Sequence, residues 1–285
     1  MILCVVGPTG VGKTKLAEEL SQRYDAVVVN CDAMQVYKEM DIGTAKYTKE
    51  EDMGKPHFLF DIVRPDEIYT VFDYQRDLRR ILKDYADRNV VIVGGTGLYL
   101  KAGLYDYEFD ERAELNEYEN LSNEKLYALL QESGKNTDDV HVNNRRRMIS
   151  KLNSTGNNGR KDVLLYEDVC MIGLTTNRQN LYDKINRRVD KMMEDGLLEE
   201  AESLYKKYGL SKAMKTGIGY KELVAYFEGL MTLDEAVRLI KQKSRKYAKR
   251  QYTWFLHQMR VGWFETDYGD FSKTVDEVCA FIDKK

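Results

Sequence analysis

Short apolar runs punctuate the first hundred residues, most of them halted by glycine or a small polar residue. Ile2 to Val6 stops at Gly7, and Ala26-Val27-Val28-Val29 stops at Asn30-Cys31-Asp32. Phe58-Leu59-Phe60-Asp61-Ile62-Val63 is a third run, and Val90-Val91-Ile92-Val93 ends in Gly94-Gly95-Thr96-Gly97. Between them apolar residues recur at helical spacing over 15–24 and 70–88. Continuous β-branched runs alternating with helices predict an α/β fold whose parallel sheet is buried on both faces. Thr70-Val71-Phe72-Asp73 reads as a capping-box variant at a helix start, and Thr232-Leu233-Asp234-Glu235 as a second N-cap signal.

The pattern changes near Tyr105. Up to Tyr166 there is no strand of comparable strength; the periodicity predicts helices over 115–133 and 142–152, then a Ser/Thr/Gly/Asn-rich return over 153–159. Residues 168–174 read as one more core strand, followed by helices over 178–195, 197–208, 220–228 and 233–256. The chain therefore divides into a first part of the core (1–104), a helical insertion (105–165), and a segment that completes the core with basic C-terminal helices (166–285).

Composition narrows the class. Of 285 residues 43% are hydrophobic and 32% charged, enough to bury a core, which excludes a disordered or collagen-like chain. No apolar run approaches the ~18 residues of a membrane helix, and the start lacks the basic region and apolar length of a signal peptide. Cys4, Cys31, Cys170 and Cys279 are too scattered for a zinc or disulfide pattern, and His57, His141 and His257 lack metal-ligand spacing. A reduced cytoplasmic protein, monomeric and without membrane attachment, is expected.

Net charge is −3, yet 236–264 contains no acid and eight cations: Arg238, Lys241, Lys243, Arg245, Lys246, Lys249, Arg250 and Arg260. A solvated helix face usually mixes signs, whereas these cations interleave with Tyr247, Tyr252, Trp254 and Phe255. Such a surface suits phosphates and unpaired bases.

Gly7-Pro8-Thr9-Gly10-Val11-Gly12-Lys13-Thr14 satisfies G-x-x-x-x-G-K-[ST] at every required position. Glycines let the loop wrap with N–H groups inward, the following helix N-terminus favours an anion, Lys13 neutralises phosphate and Thr14 can bind Mg²⁺. The fold class expected is thus a P-loop NTPase-like parallel sheet flanked by helices, with a small helical insertion domain. The loop alone leaves kinase, ATPase and GTPase readings open. Against motors and GTPases, the fourth run ends in Gly94-Gly95-Thr96 rather than an acid, and no Asn-Lys-x-Asp occurs. Asp32, at a strand end where α/β sheets bind ligands, can act as a general base or cap a turn. Thr96 can serve a site or start a helix.

Together with the P-loop, five further segments carry a family resemblance. These are Asp32-Ala33-Met34-Gln35-Val36-Tyr37, Met40-Asp41-Ile42-Gly43-Thr44-Ala45-Lys46, Gly94-Gly95-Thr96-Gly97-Leu98-Tyr99, Gly217-Ile218-Gly219-Tyr220-Lys221-Glu222 and Ala248-Lys249-Arg250-Gln251-Tyr252-Thr253-Trp254-Phe255. In this order they resemble the tRNA dimethylallyltransferase (tRNA isopentenyltransferase) family across most of the chain.

The resemblance implies transfer of a dimethylallyl group from dimethylallyl diphosphate to the exocyclic amino nitrogen of the adenosine 3′ of the anticodon in tRNA. The cradle would then hold a prenyl diphosphate rather than ATP, with Mg²⁺ on Thr14. Asp32 becomes the base, Thr96 its hydroxyl partner, and Arg188 the phosphate-binding arginine, with Arg187 as the alternative. Diphosphate contacts fall on Gly7, Thr9, Gly10, Val11, Gly12, Lys13, Thr14 and Arg245. Contacts with tRNA fall on Asp32, Ala33, Met34, Gln35, Arg146, Arg147, Gly219, Tyr220, Lys221, Lys249, Arg250 and Trp254. A flipped adenosine read by Gln35 is expected. The insertion departs from the family: it is short and reads His141-Val142-Asn143-Asn144-Arg145-Arg146-Arg147 where relatives have His-Pro-Asn-Asp before their arginines. No zinc-finger extension is expected. Competing readings are a P-loop small-molecule kinase, an isopentenyltransferase acting on free adenine nucleotides, and a non-catalytic RNA-binding protein.

Overall fold

The computed structural model describes residues 1–47, 54–107, 118, 121–138, 140–153 and 163–284. It divides into two units, one of 1–104 with 166–285 and the other of 105–165.

The larger unit is built on six parallel strands in the order β3-β2-β4-β1-β5-β6. These are β1 (Ile2–Val6), β2 (Ala26–Asn30), β3 (His57–Phe58), β4 (Asn89–Val93), β5 (Val169–Thr175) and β6 (Gly262–Glu265). The helices are α1 (Lys13–Arg23), α2 (Val71–Asp84), α3 (Gly97–Leu104), then α6 (Arg178–Glu194), α7 (Leu197–Tyr208), α8 (Lys212–Thr216), α9 (Tyr220–Phe227), α10 (Leu233–Gln258) and α11 (Phe271–Ile282). Leu3, Val5, Val28, Val91, Ile172 and Leu174 from the central strands meet Leu16, Leu20, Ile185 and Val278 from the helices in one core, which is why those runs are apolar without alternation. The expected capping box forms at Thr70–Asp73, and the N-cap expected at Thr232 forms as a capping box with Glu235.

The third apolar run makes a strand only at His57–Phe58. Leu59 and Asp61 take positive φ (64° and 52°), and Asn30 Nδ2 donates to the Leu59 carbonyl at 2.9 Å, so the chain turns away from the sheet. Strand β6 and helices α3, α8 and α11 are additions to the elements expected. β6 is a four-residue edge strand containing a glycine, too short to show a period.

Register places the site. Asn30 pairs with Val93, Val93 with Val5, and Val6 with Gly173, so the carboxyl ends of β2, β4 and β1 lie side by side. Asp32, Gly94-Gly95-Thr96 and the P-loop follow those three ends directly. Packing there is close: a Cβ on Gly94 would lie 2.1 Å from the Cys31 carbonyl oxygen, and one on Gly7 (φ 136°) 2.4 Å from that of Leu174.

In the smaller unit α4 (Asn123–Glu132) and α5 (Arg145–Asn153) enclose Leu126, Leu130, Val140 and Met148. Ser122 caps α4, starting it later than residue 115; residues 115–117, 119, 120 and 154–159 lie outside the described residues. Arg145 donates to the carbonyls of Tyr118 and Leu121, so its charge serves this unit's own backbone. No helix among the described residues is long and apolar enough to cross a membrane.

Candidate active site

A cavity of about 410 Å³ opens over the carboxyl ends of β1, β2 and β4. Thr9, Lys13 and Thr14 line it from the P-loop and α1, Asp32 to Gln35 from the turn after β2, and Arg188 from α6. Gly217, Gly219, Tyr247, Arg250 and Gln251 contribute from α10 and the segment around α9. Gly12 starts α1 with φ 90°, a left-handed start that only glycine takes without strain, and leaves the helix N-terminus facing this space.

Lys13, Asp32 and Arg188 act on one another in the cavity, whose lining also includes Glu18 and Arg250. Lys13 Nζ donates to the Pro8 carbonyl at 2.8 Å, and burial pulls its pKa down to about 8 against the opposing pull of Asp32. Burial also lowers Arg188, whose charge is again favoured by Asp32, and its Nη2 donates to the Thr44 carbonyl at 3.4 Å. Lys13, Arg188 and Arg250 outnumber the carboxylates of Asp32 and Glu18 in the lining, and with the helix N-terminus they leave a site that favours an anion. Arg187 is exposed and Arg188 lines the cavity, which distinguishes the two arginines.

Asp32 is held by its own turn. Its N–H donates to Asn30 Oδ1 at 2.8 Å, and its Oδ1 accepts from the Met34 N–H at 2.9 Å. The carboxylate thus caps a turn and faces the cavity at once. Thr96 stands behind it, outside the lining: Oγ1 accepts from the Ala33 N–H at 3.0 Å, and its carbonyl accepts from Leu100 at the start of α3. Thr96 thus stands at the helix start, and its hydroxyl holds the turn that carries Asp32. Beneath, the Cys31 thiol is pushed up to about 12 by burial, which removes it as a nucleophile.

Gln35 Nε2 donates to the carbonyls of Thr44 (3.1 Å) and Ala45 (3.2 Å). With both amide protons engaged, what Gln35 offers a ligand is its carbonyl oxygen, an acceptor for an amino N–H. The loop carrying Thr44 is itself anchored by Glu200, which accepts from the N–H groups of Asp41, Ile42 and Gly43 and from the Tyr220 hydroxyl.

Several residues expected at the site have other surroundings. Arg245 lies against α6, donating to Asn186 and covering the Tyr182 ring, away from the cavity lining. The P-loop contact expected of it is replaced by these contacts to α6. Tyr220 is fully buried with its hydroxyl on Glu200 at 2.6 Å, so it shapes the wall rather than presenting a polar group. Gly219 N–H is held by Glu222 Oε2 at 2.8 Å. Trp254 packs over Gly97 at the start of α3. Lys221 and Lys249 are exposed, and Arg250 is exposed, lines the cavity mouth and covers the Tyr247 ring. Arg147 is exposed on α5; Arg146 lies on that helix with its side chain outside the described residues.

Two residues make contacts that the sequence reading did not assign to them. Gln251, 5% exposed, accepts from the Thr9 N–H at 2.9 Å and donates to the Gly95 carbonyl at 3.1 Å, joining the P-loop to the loop after β4. Thr9 N–H is thereby engaged inside the protein. Tyr247, one turn earlier on α10, hydrogen-bonds with Thr96 and Gln251; burial and the Asp32 charge raise its pKa. An aromatic four residues before a glutamine on one helix face was a visible signal, but only the fold shows what the pair touches.

An α/β protein with a P-loop sequence, buried cations and a carboxylate facing one cavity is the class that this fold and cavity define. Within that class the chain belongs to the IPP transferase family, whose model matches residues 35–258. Similar proteins include the tRNA dimethylallyltransferases of Anoxybacillus flavithermus, 42% identical over 302 aligned positions covering 100% of this chain and 96% of that one, and of Bacillus pumilus, 42% identical over 306 positions covering 99% and 95%. Among solved structures, the tRNA isopentenylpyrophosphate transferase of Bacillus halodurans superposes with a TM-score of 0.78 at 39% identity, over 99% of this chain and 95% of that one. A eukaryotic dimethylallyltransferase acting on tRNA superposes at 0.86 with 25% identity, over 100% and 80%.

Proposed function

We propose that the protein transfers a dimethylallyl group from dimethylallyl diphosphate to the exocyclic amino nitrogen of the adenosine 3′ of the anticodon in tRNA, releasing diphosphate. The observation that carries this reading is that the anion cradle of Lys13, Thr14 and Arg188 and the carboxylate of Asp32 open onto one cavity, beside the acceptor of Gln35. The family membership supports it.

An adenine amino group is a poor nucleophile because its lone pair is delocalised into the ring. As the new nitrogen–carbon bond forms and the allylic carbon–oxygen bond breaks, the amino proton passes to Asp32 and the electron pair leaves with diphosphate. Gln35 accepts the second amino proton in a hydrogen bond and orients the base. Lys13, Arg188 and the α1 N-terminus stabilise charge on the departing oxygens. Thr96 and Tyr247 hold the turn that carries Asp32.

Mg²⁺ fits these residues. The Thr14 hydroxyl lies in the first turn of α1 at the cavity wall, a hard oxygen donor. Diphosphate oxygens and water would complete the ion's coordination. Bound there, the ion neutralises leaving-group charge. The enzyme acts as a cytoplasmic monomer on this reading, and light scattering checks its mass in solution.

Purified protein incubated with radiolabelled dimethylallyl diphosphate and, separately, unmodified tRNA, AMP or ATP tests the proposal. Label is expected in tRNA alone. Label in AMP would instead identify a free-nucleotide enzyme, and phosphate transfer from ATP a kinase.

A further inference from the structure

The chain after α10 falls outside the residues matched by the family model, yet it returns to the P-loop. Strand β6 pairs with β5 through Leu174–Phe264 and Thr175–Glu265, and the Thr266 N–H extends the pairing to the Thr175 carbonyl at 2.8 Å. Thr266 is thereby carried beside the loop, where it is 4% exposed and its Oγ1 donates to the Val11 carbonyl at 2.8 Å. Two residues on, the Tyr268 hydroxyl donates to the Gly10 carbonyl at 2.9 Å. The turn bearing both is secured: Asp267 Oδ1 accepts from the N–H groups of Gly269 and Asp270, and Thr274 Oγ1 accepts from the Asp267 N–H.

Within a planar trans peptide the C=O and the next residue's N–H point in opposite directions. Holding the Gly10 and Val11 carbonyls on the outside of the loop therefore turns the N–H groups of Val11 and Gly12 the other way. An anion cradle needs that orientation. The loop does not enforce it alone, because Gly10 and Gly12, both at φ 90°, have wide conformational freedom. On the reading of this loop as a diphosphate cradle, we infer that Thr266 and Tyr268 are positioning residues, whose hydroxyls clamp the outer carbonyls of the P-loop so that its amides face the diphosphate.

The test compares wild type with Tyr268→Phe, Thr266→Val, the double variant, and Thr266→Ser, which keeps the hydroxyl. Affinity for inorganic pyrophosphate is measured by calorimetry, tRNA affinity by filter binding, and melting temperature alongside. Removing either hydroxyl should weaken pyrophosphate binding by about 3- to 10-fold, the worth of one net hydrogen bond. Affinity for tRNA should stay at the wild-type level, and Thr266→Ser should stay within about twofold of wild type for pyrophosphate. Tyr268→Phe, on a half-buried side chain, keeps the test open should Thr266→Val fold poorly. A double variant, or Tyr268→Phe alone, that binds pyrophosphate as wild type does while melting lower would overturn the clamp, leaving two ordinary tertiary hydrogen bonds. Wild-type protein that binds no pyrophosphate would instead sink the diphosphate reading before any variant is compared.

Discussion

Asp32 performs two tasks that one substitution separates. Its Oδ1 accepts from the Met34 N–H, a bond that an asparagine oxygen can reproduce, whereas only a carboxylate can take the amino proton. Asp32→Asn should therefore keep the melting temperature and tRNA affinity while lowering the single-turnover rate by about 10²–10⁴-fold, the usual share of general acid–base catalysis. A rate within twofold of wild type would leave Asp32 only its turn. Lys13 makes a different prediction, about pH. Its pKa is about 8 in the folded protein against an ordinary 10.5, so between those values the unfolded chain binds the extra proton. Stability then rises with pH through that window and the cost of burying the cation is greatest below it. Urea unfolding from pH 7.5 to 10 should show wild type gaining on Lys13→Met; a constant difference would mean that Lys13 titrates normally.

At the scale of elements, α10 carries two different surfaces. Lys241 pairs with Asp190, Lys243 with Glu222, and Arg245 with Asn186, so these three cations tie α10 to α6 and α9. Lys246 and Lys249 are exposed on the same helix, while Arg250 reaches the cavity mouth. Lys246→Ala with Lys249→Ala is accordingly the cleaner probe of a tRNA surface, because neither side chain lines the cavity. The double variant should weaken tRNA binding and reduce the slope of log affinity against log salt by roughly 0.7–0.9 for each phosphate that is no longer neutralised. Pyrophosphate affinity should not change. Filter binding over a salt series decides it, and an unchanged slope returns both lysines to plain solvation.

The whole molecule gathers its cavity from both ends of the chain: β1 and the turn after β2 supply the cradle and carboxylate, while α6 and α10 supply Arg188, Tyr247 and Gln251. A ligand that bridges these parts binds only the folded state. Pyrophosphate at about a hundred times its Kd should thus stabilise wild type by about 2.7 kcal/mol. Lys13→Met should lose most of that gain at the same concentration. Denaturant melts with and without pyrophosphate measure both, and an equal gain in the variant would place the anion elsewhere.

Much of this protein was legible in its residue order because the relevant physics is local. Continuous β-branched runs report strands buried on both faces, Thr70–Asp73 and Thr232–Glu235 report helix starts, and the glycine spacing of 7–14 reports a tight loop between β1 and α1. Asp32 and Thr96 could be placed at strand ends, since each closely follows its strand. What the order of residues could not disclose depends on pairing between distant segments. Phe58 to Val63 has strand-forming residues, but Asn30 claims the Leu59 carbonyl and turns the chain. Arg245 has the right charge and the right helix, yet packing against α6 gives it Asn186 as a partner. Nothing local in the sequence discloses the partners of Gln251, Thr266 and Tyr268. Their hydrogen bonds to Thr9, Val11 and Gly10 span more than 240 residues, and only closure of the sheet, with β6 laid against β5, brings those polar groups within reach.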